Sequence, residues 1–234
     1  MLKNIFYPTP QNAFIWLSSI YLLFLLYIGK ASPLSILFVY FLETLIIGVF
    51  NALKMYCAIK FTKSTGYVMI LFFLFHYGFF VAIQSIFGFA LFSFDDNSIF
   101  KEPFHIIENY GIILNLEDMK YVLPAIVLTH LNKFFLDFIK NKKYVLFSAN
   151  EIMTKPYLRI FVQQFVVIIS FFFMVVGKAG VIAAVLLILF RLIIDLIMES
   201  VKENSKMLDF LAKKLENEKA SKEEIKKQLM AFTE

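Results

Sequence analysis

Long apolar runs separated by short polar connections constrain this chain more than any other feature. Runs of about 17 to 25 residues can cross a hydrocarbon core of roughly 30 Å as helices. Six approximate candidates stand at residues 13–28, 33–53, 67–92, 119–139, 157–176 and 179–198. They are too long for strands and lack period-two alternation, which disfavours a barrel. With 60% hydrophobic residues, 30 Phe and a mean hydropathy of +0.74, too little polar surface remains for a soluble monomer. The expected fold is therefore all-α: a polytopic helical membrane domain with about six transmembrane helices over residues 1–198, followed by a charged cytoplasmic helical tail over 199–234.

The placement of lysine sets an expected orientation. Lys54, Lys60 and Lys63 lie at the second-to-third connection, Lys140, Lys142, Lys143 and Lys155 at the fourth-to-fifth, and the tail is Lys-rich. The other connections hold Lys30, a mainly acidic segment and Lys178. The positive-inside rule then puts both termini on the cytoplasmic side of a bacterial inner membrane, and an even number of spans agrees with both ends being on one side. The net charge of +5 is explained the same way and does not call for a nucleic-acid partner. The apolar run after Pro8 and Pro10 has no small-residue cleavage site before Lys30 and reads as a retained helix. A single cysteine, Cys57, excludes internal disulfides and thiolate clusters.

Two polar segments carry helix signals. In the external segment 94–118, Asp95, Asp96, Glu102, Glu108, Glu117 and Asp118 face only Lys101. There Pro103 can start a short interfacial helix with Phe104, Ile107 and Tyr110 or Gly111 at helical spacing. It reads as a lid over helix ends, with a substrate gate as the alternative. In the tail, Leu208, Leu211 and Leu215 follow a 3,4 spacing, and Ser221 to Glu224 match a capping box before a second short helix. The tail reads as a packing or oligomerisation element, so a homo-oligomer or a membrane-complex subunit is the partner expectation beside the bilayer itself.

Ionisable groups in hydrocarbon are costly and mark functional candidates. Glu43 lies deep in the second run on the same stripe as Lys54. The third carries His76, Tyr77 and Gln84, the fourth His130, Lys133 and Asp137, the fifth Arg159, Gln163 and Gln164, and the sixth Arg191, Asp195 and Glu199. At 1.5 Å per residue, Glu43, His76, His130, Gln164 and Arg191 fall roughly 10 to 17 Å from the cytoplasmic boundary. A polar cavity in the cytoplasmic half is the resulting expectation. The structural alternative is local neutralisation, Arg191 with Asp195 and Lys133 with Asp137 at i,i+4, with glutamines joining helices.

A histidine beside a buried carboxylate suits proton relay or ion gating, which makes Glu43, His76 and His130 central. The same three are an acceptable metal-ligand set, and the two histidines could in principle ligate haem, although no i,i+3 or i,i+4 ligand spacing supports either. No cofactor is firmly implied. Walker, dinucleotide, GxSxG and HExxH motifs are missing, and few Gly and Pro residues are available for the broken helices of transporters.

The stretches His76-Tyr77-Gly78-Phe79-Phe80 and Pro156-Tyr157-Leu158-Arg159-Ile160, with the closing stretch from Arg191 to Asp195, resemble an uncharacterised bacterial multipass membrane family, domain of unknown function 6498, over about residues 37–199. The resemblance implies a helical membrane domain and no established activity. It also implies further histidines where Gln84, Gln164 and Glu199 stand here, so this member would be a metal-depleted version of any family metal site. The leading functional expectation is binding, sensing or conduction of a small ion or solute. The alternatives are a membrane-embedded, perhaps metal-dependent enzyme, and a structural subunit whose tail recruits a partner.

Overall fold

The computed structural model describes residues 6–9, 12–62, 66–93, 99–172, 180–201, 206–216 and 221–232. All regular structure among them is helical: α1 (Ala13–Tyr27), α2 (Pro33–Thr62), α3 (Tyr67–Phe92), α4 (Ile106–Leu114), α5 (Met119–Asn132) continuing into a π-helical segment (Lys133–Ile139), α6 (Lys143–Leu146), α7 (Ala149–Phe171), α8 (Gly180–Ser200), α9 (Lys206–Leu215) and α10 (Lys222–Phe232). Among the described residues, four stretches are long and apolar enough to cross a membrane: α2, α3, α5 with its π segment, and α8.

The two remaining runs are not among these four. Helix α1 has 15 residues, about 22 Å at 1.5 Å per residue, against a core of about 30 Å. The fifth run lies in α7, which begins eight residues before the run, at Ala149, because Ser148 and Glu151 form a capping box there. Residues 173–179, the end of that run and the start of the sixth, lie outside the described residues.

Helix α2 is the central element and touches α3, α5, α7 and α8, while α1 packs on α5 and α8. At the end near Pro33, aromatic rings fill the core: Phe38 lies 5.3 Å from Phe41, 5.2 Å from Phe92 and 4.6 Å from Phe100. Two glycines allow α3 this close. A Cβ on Gly88 would collide with the Phe41 ring, and one on Gly48 with the Tyr77 ring. Tyr77 also donates its hydroxyl to the Thr44 carbonyl at 2.8 Å, a bond from α3 to α2 inside the core.

At the lysine-rich end, proline dictates the α2–α7 contact. Pro156 lies inside α7 and has no N–H for the Ile152 carbonyl. Asn51 of α2 supplies the missing donor, its Nδ2 bonding the Ile152 oxygen at 3.1 Å. A buried carbonyl left open would otherwise cost about 1–3 kcal/mol.

The segment 94–118, expected to be external, differs from expectation in its details. Residues 94–98 lie outside the described residues. Pro103 starts a turn and not the helix: the His105 amide bonds the Glu102 carbonyl at 2.9 Å, which places Pro103 at the second turn position that proline favours. Helix α4 follows from Ile106. Its buried face is Asn109 and Ile113, while Phe104 and Ile107 are exposed. Asn109 is the reason, because its side chain accepts from the Lys101 amide at 2.8 Å and donates to the Glu102 carbonyl at 3.2 Å. Lys101 also bonds Glu108, which holds that carboxylate below the usual range.

Asp118 ties the same end together by accepting from the Ser32 amide at 2.6 Å and the Ser35 hydroxyl at 2.5 Å. Burial raises its pKa, but these hydrogen bonds outweigh burial and leave it lowered. In the tail, the Ser221–Glu224 capping box forms as the spacing predicts. Helix α10 packs on both α9 and α7, and Lys226 bonds Asp209 at 2.7 Å. Leu208 is buried, but Leu215 is exposed, so the buried stripe of α9 is Leu208 and Ala212.

Candidate functional site

Glu43 is fully buried in the first half of α2, next to α5 and α8. Its carboxylate receives two groups from two other helices. His130 Nε2 of α5 lies 2.7 Å from Oε1. Arg191 of α8 grips both oxygens, Nη2 to Oε1 at 2.6 Å and Nε to Oε2 at 3.0 Å. This paired geometry is the strong form of an arginine–carboxylate contact. Arg191 also lies 3.6 Å from Asp195 one turn along α8, and its guanidinium sits 5.3 Å from the centre of the Tyr40 ring. Phe50 stacks on His130 with ring centres 6.4 Å apart.

The π-helical segment adds one more member. Its wider turn, marked by the Lys140 amide bonding the Phe135 carbonyl at 2.9 Å, disturbs the i,i+4 register that would stack Lys133 on Asp137. Lys133 instead reaches Asp195 at 3.9 Å, and Asp137 takes Lys143 at 2.8 Å. The result is a connected group, Glu43, His130, Arg191, Asp195 and Lys133, with two carboxylates facing a guanidinium and an amine. His130 is the remaining titratable member. Glu43, His130, Arg191 and Asp195 are all buried, whereas the Lys133 side chain is 17% exposed.

His76 belongs elsewhere. Its Nδ1 lies 2.7 Å from the Tyr157 hydroxyl of α7, and Phe72 and Phe80 flank its ring. Tyr77 faces α2 through Thr44, as above. Gln84 and Gln164 line a groove of about 460 Å³ between α3 and α7. Arg159 and Gln163 sit on α7, and their side chains lie outside the described residues. Lys54, expected on the Glu43 stripe, lies 5.9 Å from the centre of the Phe138 ring at the lysine-rich end. The polar groups expected at one depth thus divide between two places. Among the described residues no group of three or more His, Cys, Asp or Glu is arranged to hold a metal ion, so Glu43 and His130 form a set without His76.

Sequence reasoning missed one participant and one contact. Tyr40, three residues before Glu43, faces Arg191, and its i,i+3 spacing was the available signal. The Lys133–Asp195 contact had no local signal, because it depends on the π register.

The family model that matches the chain is described as a family of unknown function (DUF6498) and covers residues 1–223. No curated protein and no solved structure matches the chain.

Proposed function

The chain belongs to that family of unknown function, and from this premise we propose that it is a membrane protein that senses protons from the cytoplasmic side through the Glu43 network. The observation that carries this reading is a buried carboxylate held between a histidine and an arginine from separate helices. Histidine ordinarily changes charge between about pH 5 and 8. The groups facing His130 and its partner are Glu43 and Tyr40 from α2, Arg191 and Asp195 from α8, and Lys133 from the π segment. With His130 neutral, the two carboxylates balance Arg191 and Lys133. A proton on His130 adds an unbalanced positive charge and weakens the claim of Arg191 on Glu43.

Sensing is favoured over conduction by what surrounds the network. Phe38, Phe41, Phe89, Phe92 and Phe100 pack the core toward the Pro33 end, and the partly exposed member, Lys133, lies toward the lysine-rich end. In the proposed arrangement that end is cytoplasmic, as the lysines of the even-numbered connections support. Helix α1 and the α7 region complete six spans with both termini cytoplasmic, in a bacterial inner membrane.

The single tryptophan provides the test. Trp16 packs beside Ile15 against Leu192 and Leu196, on the helix that carries Arg191 and Asp195. Its fluorescence in nanodiscs should shift in a single transition between about pH 5 and 8. That transition should vanish in His130→Gln and persist in His76→Gln. A signal flat across this range, or a transition unchanged in His130→Gln, would overturn the reading.

A further inference from the structure

The groove between α3 and α7 has properties that neither the packing of the bundle nor the Glu43 network accounts for. Phe80, Phe87, Tyr157 and Phe161 supply aromatic walls, Ile83 and Ile160 the rest of the apolar lining, and Gln84 and Gln164 the polar groups. Its volume of about 460 Å³ matches a small-molecule site. Gln84 is only 4% exposed, and among the described residues its buried Oε1 has no hydrogen-bond partner. A buried amide oxygen without a donor costs about 1–3 kcal/mol, so it marks a place where an incoming donor gains more than in water. The last side-chain torsion of glutamine is soft, and a small rotation turns this oxygen toward an occupant.

Depth narrows the choice of occupant. Gln84 is 17 residues into α3 from Tyr67, roughly 26 Å along the axis at 1.5 Å per residue, and Gln164 is 15 residues into α7 from Ala149, roughly 22 Å. Gln84 is also eight residues, roughly 12 Å, from the other end of α3 at Phe92, so in the proposed arrangement both side chains lie within the apolar length of their helices, beside acyl chains and not at the headgroups. Acyl chains reach that depth but carry no donor. The occupant therefore needs a mostly apolar body with one hydrogen-bond donor, and four aromatic side chains favour a flat ring for that head.

We propose that the α3–α7 groove binds a lipid-soluble molecule with a phenolic head and an apolar tail, its hydroxyl donating to Gln84. The hydroxyl fills the missing hydrogen bond, the ring lies among Phe80, Phe87 and Phe161, and the tail leaves through the open side of the groove into lipid.

Two probes related by O-methylation, which removes the donor, separate this site from general partitioning once each is corrected for its own uptake by empty nanodiscs. Equilibrium binding of 4-decylphenol and of its methyl ether, 4-decylanisole, is measured on the full chain in nanodiscs, with empty nanodiscs subtracted. The phenol should bind saturably and about tenfold more tightly than the ether, the factor that one net hydrogen bond supplies. In Gln84→Leu the two probes should bind alike. This variant replaces an unsatisfied buried polar group with an apolar one, so its thermal stability should hold or rise, which keeps the comparison interpretable. Absence of saturable phenol binding, equal binding of phenol and ether to the wild-type protein, or an unchanged preference in Gln84→Leu would each overturn the proposal.

Discussion

Glu43→Gln keeps the shape of the side chain and removes its charge. In the native structure Arg191 makes two contacts with this carboxylate, at 2.6 and 3.0 Å, and His130 makes one at 2.7 Å. Breaking a buried ion pair by removing one partner costs about 3–5 kcal/mol, because the other charge stays buried without full compensation. Asp195 at 3.6 Å retains part of the attraction for Arg191, which places the expected loss near the lower limit, about 3 kcal/mol. That is roughly two decades in the folding equilibrium. The assay is equilibrium unfolding in mixed micelles, run as a double-mutant cycle with Glu43→Gln, Arg191→Met and the double variant. A coupling of at least about 2 kcal/mol is expected, with the double variant less unstable than the sum of the single variants. A loss below about 0.5 kcal/mol for Glu43→Gln, or strict additivity, would refute the idea that the two side chains act as one unit.

Asn51→Leu should destabilise by about 1–3 kcal/mol, because it leaves the Ile152 carbonyl without a donor beside Pro156; a neutral result in the same unfolding assay would show that this carbonyl is satisfied another way. Gly48→Ala should cost about 1–3 kcal/mol through overpacking against the Tyr77 ring, and pairing it with Tyr77→Phe, which leaves the ring in place, should not relieve the loss. Asp118 has a lowered pKa when folded, so its contribution to stability is present above the usual carboxylate range and fades as pH falls through the folded value. Asp118→Asn should therefore lose stability at neutral pH and show less acid sensitivity than the wild-type protein; identical pH profiles would count against the Ser32 and Ser35 contacts.

Much of this architecture was legible because it follows from local rules. Apolar run length located α2, α3, the α5 region and α8, and the spacing of Ser221 and Glu224 located the start of α10. Glu43, His130 and Arg191 could be flagged one by one, since charge inside an apolar run is expensive wherever it faces. Which of them meet is a different kind of fact. Depth along the axis was estimated from residue count alone, and it placed His76 and Gln164 with Glu43. Rotation about each axis was not available from that count, and it turns His76 to Tyr157 and Gln164 to the α3–α7 groove. The Lys133–Asp195 contact was hidden for the same reason, because a π-helical turn changes rotation without leaving a sequence pattern. Asn51 was traceable in principle: Pro156 frees one carbonyl, and a buried amide on a neighbouring helix is the natural donor.

Proton binding at the Glu43 network is tested most directly by pH-difference infrared spectroscopy of the full chain in lipid, comparing the wild-type protein with His130→Gln and Glu43→Gln. Between about pH 5 and 8, the wild-type spectrum should contain an imidazole protonation signal together with a shifted carboxylate stretch. The carboxylate component should vanish in Glu43→Gln, and both components should vanish in His130→Gln. A difference spectrum that His130→Gln leaves unchanged would contradict proton sensing at this site.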